Sequence, residues 1–250
     1  MYQFFIKPEN IIDSEVVLTD LTDINHIKNV LRMRIGEKVT FCCSDLEKDY
    51  ICSINQLTDE EIRASIEDIN GISGELPVRI VLFQGLPKSD KMELIIQKAV
   101  ELGAAEIVPV ATKRCVVKLD EKKAAKKVLR WNEIAKSAAK QSKRSRIPEV
   151  KDVMTYGEAL HYARALSMIL IPYEDAKGIS HSRKLVESVK GKESLGIFIG
   201  PEGGFEEKEV DQAREIGAHP ITLGHRILRT ETAGMTLLSI LMFMLDEDGE

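Results

Sequence analysis

Three short segments of the chain combine residue types that can bind a ligand and act on it. Segment 199–205 holds three glycines, which let the backbone approach a ligand closely or adopt positive φ. Segment 223–232 holds two arginines and a glutamate, and Pro172-Tyr173-Glu174 forms the third. Each follows a predicted strand, and ligands of open parallel sheets bind at the carboxyl ends of strands. The sequence therefore predicts one ligand site assembled from all three segments.

The glycine-containing segment does not have the spacing of a phosphate-binding loop. It matches neither Gly-x-Gly-x-x-Gly nor Gly-x-x-x-x-Gly-Lys-Ser/Thr. Glu202 lies within it, and Glu206 and Glu207 occupy the predicted start of the next helix, where carboxylates would repel a pyrophosphate. A neutral or cationic ligand fits this segment better, and a tight strand-to-helix turn with acidic capping is the structural alternative.

Charged residues in segment 223–232 precede an apolar helix. Arg229 and Glu231 flank Thr230, and charges in such a place are costly unless they are paired or functional. Thr230 or Thr232 could cap the helix. A surface Arg–Glu ion pair is the alternative to a functional role for the two charged residues.

Positive charge is concentrated in one stretch of an acidic chain. The net charge is −5, yet residues 112–151 hold 14 Lys and Arg against 4 Asp and Glu, whereas residues 1–75 hold 7 against 15. Apolar residues recur at helical spacing from 121 to 142 among lysines and arginines, and a basic loop follows up to Pro148. A basic helix leading into a basic loop suits contacts with nucleic-acid phosphates, while a solvated helix face is the alternative.

The three segments must be positioned by an alternation of strands and helices that begins after Pro77. This rhythm predicts an α/β domain with a mainly parallel sheet. The predicted strands are Val78–Gln84, Glu106–Ala111, Ser167–Tyr173, Leu195–Ile199 and Ile221–Leu223. The predicted helices are Asp90–Leu102, Glu121–Ser142, Ser182–Val189, Glu206–Ile216 and Thr232–Leu245.

Residues 1–70 have a different pattern, of short strands separated by turns. The predicted strands are Phe4–Ile6, Glu15–Leu18, Lys38–Phe41, Tyr50–Ile54 and Ile62–Ile66, with one helix around Asp23–Met33. Asn70-Gly71-Ile72-Ser73-Gly74 is a predicted linker. This part of the chain is expected to be a small β-rich domain that packs against the α/β domain, because its own core would be modest.

Composition and spacing exclude several other classes of protein. Hydrophobic residues make up 44% and charged residues 30%, an ordinary globular balance. The longest apolar stretch, Ile240–Leu245, is far shorter than the roughly 20 residues of a bilayer span, and the amino terminus lacks the pattern of a secretory leader. The four cysteines and five histidines show neither Cys-x-x-Cys nor metal-ligand spacing. We therefore expect a cytoplasmic protein with no membrane association and no metal.

Two glycine-containing motifs carry a resemblance to a known family. Ile199-Gly-Pro-Glu-Gly-Gly204 together with Leu223-Gly-His-Arg-Ile-Leu-Arg-Thr-Glu-Thr-Ala233 resembles the bacterial RsmE family, the 16S ribosomal RNA (uracil-N3) methyltransferases of the SPOUT superfamily. His225 departs from the family, which commonly has proline there. Further segments match in order along nearly the whole chain: His26-Ile-Lys-Asn-Val-Leu-Arg-Met33, Lys91-Met-Glu93, Gln97-Lys-Ala-Val-Glu-Leu-Gly103, Arg114-Cys115, Ala138-Ala-Lys-Gln-Ser142 and Arg146-Ile-Pro148.

The resemblance implies a fold, a cofactor and partners. The implied fold is a PUA-like β-barrel over residues 1–72, which binds RNA, followed by a SPOUT α/β domain over residues 73–250 with a carboxyl-terminal trefoil knot. S-adenosyl-L-methionine is expected to bind in the knot. The partners are expected to be 16S rRNA or the small ribosomal subunit, and a second copy of the chain in a homodimer. The apolar helix Thr232–Leu245 fits burial in the knot and in the dimer interface, and burial within one subunit is its alternative.

Residues that match the family's motifs receive roles by this resemblance. Arg229 is expected to stabilise the charge that develops as N3 of a uridine loses its proton, with Glu231 orienting Arg229 or accepting that proton. The target base must be unpaired or flipped, because N3 is used in Watson–Crick pairing. The expected cofactor-binding residues are Ile171, Pro172, Ile199, Gly200, Pro201, Glu202, Gly203, Gly204, Leu223, Gly224, Ile227, Leu228, Thr230 and Thr232. The expected RNA-binding residues are Arg32, Lys91, Arg114, Lys136, Gln141 and Arg146.

Two other functions stay open on the sequence. A SPOUT methyltransferase acting on the ribose 2′-hydroxyl of a tRNA would use the same fold and cofactor, although the segment His26–Met33 argues against it. A non-catalytic RNA-binding factor of ribosome assembly would use the basic helix and the first domain. Saturable cofactor binding would distinguish this second alternative from an enzyme.

Overall fold

The computed structural model describes residues 1–71, 74–174 and 177–246, and the chain divides into two compact units. The first comprises Met1–Glu75 with Ala139–Ile147, and the second comprises Leu76–Ala138 with Pro148–Glu250. The predicted boundary between residues 72 and 73, inside the predicted linker, lies outside the described residues and stays a prediction. The first unit thus includes a short segment from the end of the basic stretch, which the sequence pattern did not indicate.

The first unit is built on one sheet. Its strands are β1 (Tyr2–Phe5), β2 (Ile11–Ile12), β3 (Glu15–Leu18), β4 (Lys38–Cys43), β5 (Lys48–Leu57) and β6 (Ile62–Gly71). They are ordered β1-β4-β5-β6-β3-β2, with β1 parallel to β4 and the other pairs antiparallel. Alternating residues of β4, such as Val39 and Phe41, are buried, as expected for a sheet with one face on a core. The predicted β-rich domain is confirmed.

The predicted helix around Asp23–Met33 is shorter and less regular than expected. Helix α1 (Leu21–Asn25) is capped by Asp20, whose side chain accepts a hydrogen bond from the Asp23 amide at 2.9 Å. It runs into a π-type turn, His26–Val30. Arg32 follows with φ of +55°, a left-handed conformation that interrupts a helix.

The segment Ala139–Ile147 joins the first unit through charge pairs. Lys140 Nζ lies 2.6 Å from Asp23 Oδ1, and the Arg144 guanidinium lies 2.5 Å from a Glu75 carboxylate oxygen. Lys140 also lies over the Phe4 ring, 5.1 Å from its centroid. The sequence assigned this basic loop to nucleic-acid phosphates, but much of its charge is matched by carboxylates of the acidic first unit.

The second unit is built on a parallel sheet. Its strands are β7 (Arg79–Gly85), β8 (Glu106–Ala111), β9 (Glu149–Val150), β10 (Met154–Thr155), β11 (Met168–Pro172), β12 (Ser194–Ile199) and β13 (His219–Ile221). Their order is β10-β8-β7-β12-β11-β13, with β9 beside β8, and every described pairing is parallel. All six residues of β12 are buried, which explains its continuous apolar sequence. The predicted α/β domain with a parallel sheet is confirmed.

Helices connect these strands, mostly where the sequence predicts them. They are α2 (Lys91–Glu101), α3 (Glu121–Gln141), α4 (Tyr156–Ala163), α5 (Ile179–Glu187), α6 (Glu207–Glu215) and α7 (Thr230–Leu245). Helix α4 was not predicted, although Thr155 and Glu158 form a capping box at its start, a pattern visible in sequence. Apolar residues of α3 differ in burial: the buried stripe runs through Val128, Trp131 and Ala135, whereas Leu129 is 72% exposed.

The carboxyl edge of the parallel sheet positions the three segments of interest. They follow β11, β12 and β13, and β12 lies beside the central strand β7 in register, with Ile199 opposite Gln84. Stacked rings of Phe83 and Phe198, with centroids 4.3 Å apart, join β7 to β12 in the core. The trefoil knot implied by the resemblance stays a prediction. Among the described residues, no helix has both the length and the apolar character of a bilayer span, and no cluster of three potential metal ligands occurs.

Candidate functional site

The three predicted segments line one cavity of about 1070 Å³ in the second unit. Its size suits a ligand of cofactor dimensions. The predicted cofactor-binding residues in its lining are Pro172, Ile199, Gly200, Pro201, Glu202, Gly203, Gly204, Leu223, Gly224, Ile227, Leu228 and Thr230. Ile171 and Thr232 are not part of the lining: Ile171 is fully buried within β11, and Thr232 is exposed on α7. Glu174 and Arg226, from two of the predicted segments, are part of the lining, and so is Glu207, which the sequence did not assign to the site.

Two glycines allow the segment after β12 to fold tightly. A Cβ atom on Gly85 would lie 2.6 Å from Cδ and 2.7 Å from N of Pro201, distances that real Cβ atoms do not reach. A Cβ atom on Gly200 would lie 3.0 Å from backbone atoms of Gly204. The turn therefore crosses the end of β7 at backbone contact distance. Gly85 was not predicted as a site residue, since its role depends on a partner far away in the sequence.

Helix α7 begins directly at the cavity. Arg229 holds the N-cap position without a side-chain capping bond, and Thr230 is the first helical residue. The prediction that Thr230 or Thr232 caps the helix is therefore wrong. The Thr230 hydroxyl lies 2.6 Å from the Gly200 carbonyl oxygen and 2.8 Å from Nε2 of Gln84, so it serves the turn after β12 instead.

Lys91, at the start of α2, bridges two carboxylates of the site. Its Nζ lies 3.1 Å from Glu202 and 3.4 Å from Glu231, and the Glu231 side chain is only 15% exposed. The hydrogen bond to Glu202 raises the pKa of Lys91, so the amine stays protonated. Lys91 was predicted to bind RNA, and it lines the cavity. Glu231 was expected to orient Arg229 or to accept the N3 proton, and its ion pair in the structure is with Lys91.

Glu202 is held by several donors at once. It accepts hydrogen bonds from the Lys88 amide at 3.1 and 3.3 Å as well as the ion pair with Lys91. Partial burial would raise the pKa of Glu202, but hydrogen bonds from its own amide, Lys91 and Lys88 lower it below the ordinary value. Its charge is therefore balanced within the protein. Glu206 likewise serves a structural purpose, as the N-cap of α6.

Arginines and carboxylates that take no part in the ion pairs of Lys91 complete the lining. Arg229 is exposed at the cavity and forms no ion pair within the described ranges. Arg114, predicted to bind RNA, also lines the cavity, and its guanidinium donates to the Gly203 carbonyl at 2.9 Å. Glu174 and Glu207 add negative charge to the lining. The cavity thus combines apolar walls, carboxylates and guanidinium groups, which suits an uncharged or cationic ligand beside a group that becomes anionic.

The remaining predicted RNA-binding residues lie away from this cavity lining. Arg32 and Gln141 are exposed residues of the first unit, and Lys136 is half-buried on the part of α3 that belongs to the second. Arg146 is exposed but its guanidinium pairs with Glu47 of the same unit. An RNA contact by Arg146 would therefore have to compete with a carboxylate.

Both parts of the chain match known RNA methyltransferase families. Residues 74–242 match the family described as the RNA methyltransferase domain, and residues 18–67 match the RNA methyltransferase PUA domain. The ribosomal RNA small subunit methyltransferase E of Bacillus subtilis is 38% identical over 90% of this chain and 88% of its own length. The enzyme of the same name from Mesomycoplasma hyopneumoniae is 36% identical over 96% and 98%.

A solved structure matches over the same extent. The ribosomal RNA small subunit methyltransferase E of Neisseria gonorrhoeae, bound to S-adenosyl methionine, superimposes with a TM-score of 0.82 and 33% identity. The match covers 98% of both chains, so it includes both units of this chain. Similarity in sequence and in fold thus extends over the PUA-like part as well as the part that holds the cavity.

Proposed function

The chain belongs to the ribosomal RNA small subunit methyltransferase E family, and on that premise we propose that it methylates N3 of a specific uridine in 16S rRNA. It is an RNA methyltransferase, with S-adenosylmethionine as methyl donor. The choice of uracil as the target base and of N3 as the methylated atom is what the proposal adds to this activity. The observation that carries the proposal is that the segments after β11, β12 and β13 converge on one cavity.

Carboxylates and apolar side chains in the cavity lining support binding of the methyl donor. S-adenosylmethionine supplies an electrophilic methyl group on a positively charged sulfur and carries no phosphate. Carboxylates such as Glu174 and Glu207 in the lining favour a cation and disfavour a phosphate. Apolar side chains of Ile199, Leu223 and Leu228 suit the adenine ring.

Arg229 is the residue that we propose acts on the uracil. N3 of a uridine is a poor nucleophile until it loses its proton, and the negative charge then spreads to the neighbouring carbonyl oxygens. The Arg229 guanidinium is exposed at the cavity and carries no internal ion pair in the described structure, so it can stabilise this charge. Lys91 cannot accept the proton, because its raised pKa keeps it protonated.

Glu231 keeps two proposed roles that differ in what it contacts. Its carboxylate is largely buried and paired with Lys91 at 3.4 Å, which ties the start of α7 to the start of α2. It can thus hold the backbone that carries Arg229 rather than the Arg229 side chain. As the acceptor of the N3 proton it would need to exchange this pairing for contact with the base.

Cations on both units are the proposed contacts with RNA. Exposed lysines of α3, such as Lys122 and Lys126, belong to the second unit, and Arg32 is exposed in the first. Phosphate contacts of this kind supply affinity and make it depend on salt. We also propose a cytoplasmic location, because a protein that methylates rRNA acts where ribosomes are found.

We propose a homodimer through the carboxyl-terminal helix. On α7, Phe243 is 86% exposed and Ile240 is 43% exposed, although most of the helix packs within its own unit. Exposed apolar side chains on one helix indicate a contact surface. A second copy of the chain would cover them.

The decisive experiment is methyl transfer from labelled S-adenosylmethionine to small-subunit particles and rRNA that lack the modification, with nucleoside analysis of the product. We expect label in 3-methyluridine. Label in a ribose methyl group of tRNA would replace the proposal by the 2′-O-methyltransferase alternative. No transfer together with no cofactor binding would favour a non-catalytic assembly factor.

A variant pair tests the role of Arg229. Arg229→Ala should lower methyl transfer by about 10²- to 10³-fold, because one charge-stabilising donor is lost from the transition state. Cofactor affinity measured by calorimetry should stay close to the wild-type value. Arg214→Ala, which removes a guanidinium paired with Asp211 on α6, is the matched control. A parallel loss of cofactor binding in Arg229→Ala would make Arg229 a cofactor-binding residue.

A further inference from the structure

Gln84 is an unusual residue for its position in the sheet. It lies in the central strand β7, between Phe83 and Gly85, and it is completely buried. The other buried side chains of β7 are apolar. Within the described structure, its Oε1 atom accepts no hydrogen bond. A buried acceptor without a partner destabilises a fold, so the amide must contribute something that leucine could not.

The amide nitrogen of Gln84 joins two elements of the cavity wall. Nε2 donates to the Gly85 carbonyl at 2.9 Å and to the Thr230 hydroxyl at 2.8 Å. The carbonyl of Gly85 can only accept, which fixes the orientation of the amide with its nitrogen toward both partners. Both amide protons are therefore used, and neither points at the cavity.

This orientation determines the direction of the next hydrogen bond. Since the Thr230 oxygen accepts from Gln84, its single proton is free to be donated to the Gly200 carbonyl, 2.6 Å away. Gly200 and Thr230 both line the cavity, whereas Gln84 does not. A directed chain of hydrogen bonds thus runs from the core of the sheet through α7 to the turn after β12.

We propose that Gln84 is a positioning residue for the methyl-donor site: through the Thr230 hydroxyl, it fixes the orientation of the Gly200 carbonyl and of the turn that follows. This inference rests on the proposed function, because it assumes that the turn binds the donor. The close crossing of Gly85 and Pro201 supports it, since the turn has little room for any other arrangement. Gln84 itself contacts neither donor nor RNA in this assignment.

Two single variants and their combination test the hydrogen-bond chain. Gln84→Leu removes the hydrogen-bonding side-chain amide at nearly constant volume, and Thr230→Val removes the hydroxyl at constant shape. Each should weaken binding of S-adenosylmethionine in calorimetry by about tenfold, the effect of losing roughly one positioning hydrogen bond. The double variant should bind no more weakly than the weaker single variant, because both changes break the same chain. Thr230→Ser keeps the hydroxyl and should restore wild-type affinity.

Further measurements separate positioning from general stability. For Gln84→Leu we expect the KM for the donor to rise about tenfold and kcat to change less than about threefold, since the reacting groups are intact. The melting temperature of the donor-free protein should change by no more than about 3 °C, because the variant also removes an unpartnered buried oxygen. Gln56→Leu makes the same substitution in the first unit and should leave donor affinity unchanged.

Each outcome decides between the alternatives. Three results would overturn the positioning role alone. They are wild-type affinity for S-adenosylmethionine in Gln84→Leu, losses that multiply in the double variant, and a loss of affinity that only follows a falling melting temperature. A wild-type protein that binds no S-adenosylmethionine in the same titration would overturn the proposed function and this inference with it.

Discussion

Replacing Gly85 by alanine should displace the turn that lines the cavity while leaving the rest of the second unit folded. The new Cβ atom would lie 2.6 Å from Cδ and 2.7 Å from N of Pro201, and 3.0 Å from the Gly200 carbonyl carbon. Two of these neighbours are backbone atoms and the third belongs to a rigid ring, so no flexible side chain can move aside. Pro201 must retreat by about 0.8 Å to reach the 3.4 Å at which ordinary contact begins.

A displacement of this size should affect function more than stability. Overpacking of a buried site typically costs about 1–3 kcal/mol, which the fold of a large domain can tolerate. A shift approaching 1 Å in a group that aligns reactants can lower a rate by about 10²-fold. We therefore expect methyl transfer to fall about 10²-fold and donor affinity to fall at least about tenfold in Gly85→Ala.

Donor calorimetry, single-turnover methyl transfer and urea unfolding together measure these effects. Gly157→Ala is the matched control: it lies in α4, nothing would lie within 4 Å of its new Cβ atom, and its stability should rise by up to about 1 kcal/mol. If Gly85→Ala binds the donor within twofold of the wild type and transfers methyl groups at the same rate, the turn is not held by the close contact with β7. The steric argument for this site would then be refuted.

Two further predictions concern the charged wall and the last helix. In Lys91→Met, the pKa of Glu202 should rise toward its ordinary value, because one of the donors that lower it is lost. The stabilisation that ionised Glu202 supplies is present above its ordinary pKa and is lost as the pH falls through its lowered pKa. In an acid titration, the variant should therefore lose binding of S-adenosylmethionine at a higher pH than the wild type. An unchanged pH profile would contradict the role of Lys91 as a bridge between Glu202 and Glu231. In Phe243→Lys, the Kd for self-association should rise at least about tenfold in analytical ultracentrifugation, with an unchanged circular dichroism spectrum. Wild-type association in this variant would exclude this face of α7 as the contact.

Local patterns were sufficient for most elements of the second unit. Strand β8 and helix α3 begin at the predicted residues, because a short continuous apolar run marks a buried strand and apolar residues at helical spacing mark the buried face of a helix. Helix α4 was missed although Thr155 carries its capping signal, and the prediction for β13 was displaced by two residues toward the loop. In both cases the apolar pattern is short, so local periodicity is weak.

Roles that depend on distant partners were not readable in this way. The resemblance grouped Lys91 and Arg114 with the expected RNA-binding residues, and the folded chain places both at the cavity wall, which no local pattern indicated. Glu231 was expected to orient Arg229 or to accept the N3 proton, and the ion pair of its largely buried carboxylate with Lys91 was not anticipated. Arg146 was expected to bind RNA, and its guanidinium pairs with Glu47. A charged side chain can be recognised in the sequence, but the group with which it pairs is determined by the fold.

The sequence by itself indicated the change of pattern between the β-rich part and the α/β part, the parallel sheet and the three segments that line the cavity, since each depends on residues that are neighbours along the chain. The tertiary structure decided how those segments are held. Gln84 and Thr230 are 146 residues apart, and Gly85 is needed only because Pro201 crosses it. Hydrogen bonds and close contacts of this kind depend on position in space, and a single sequence carries no periodic or local signal for them.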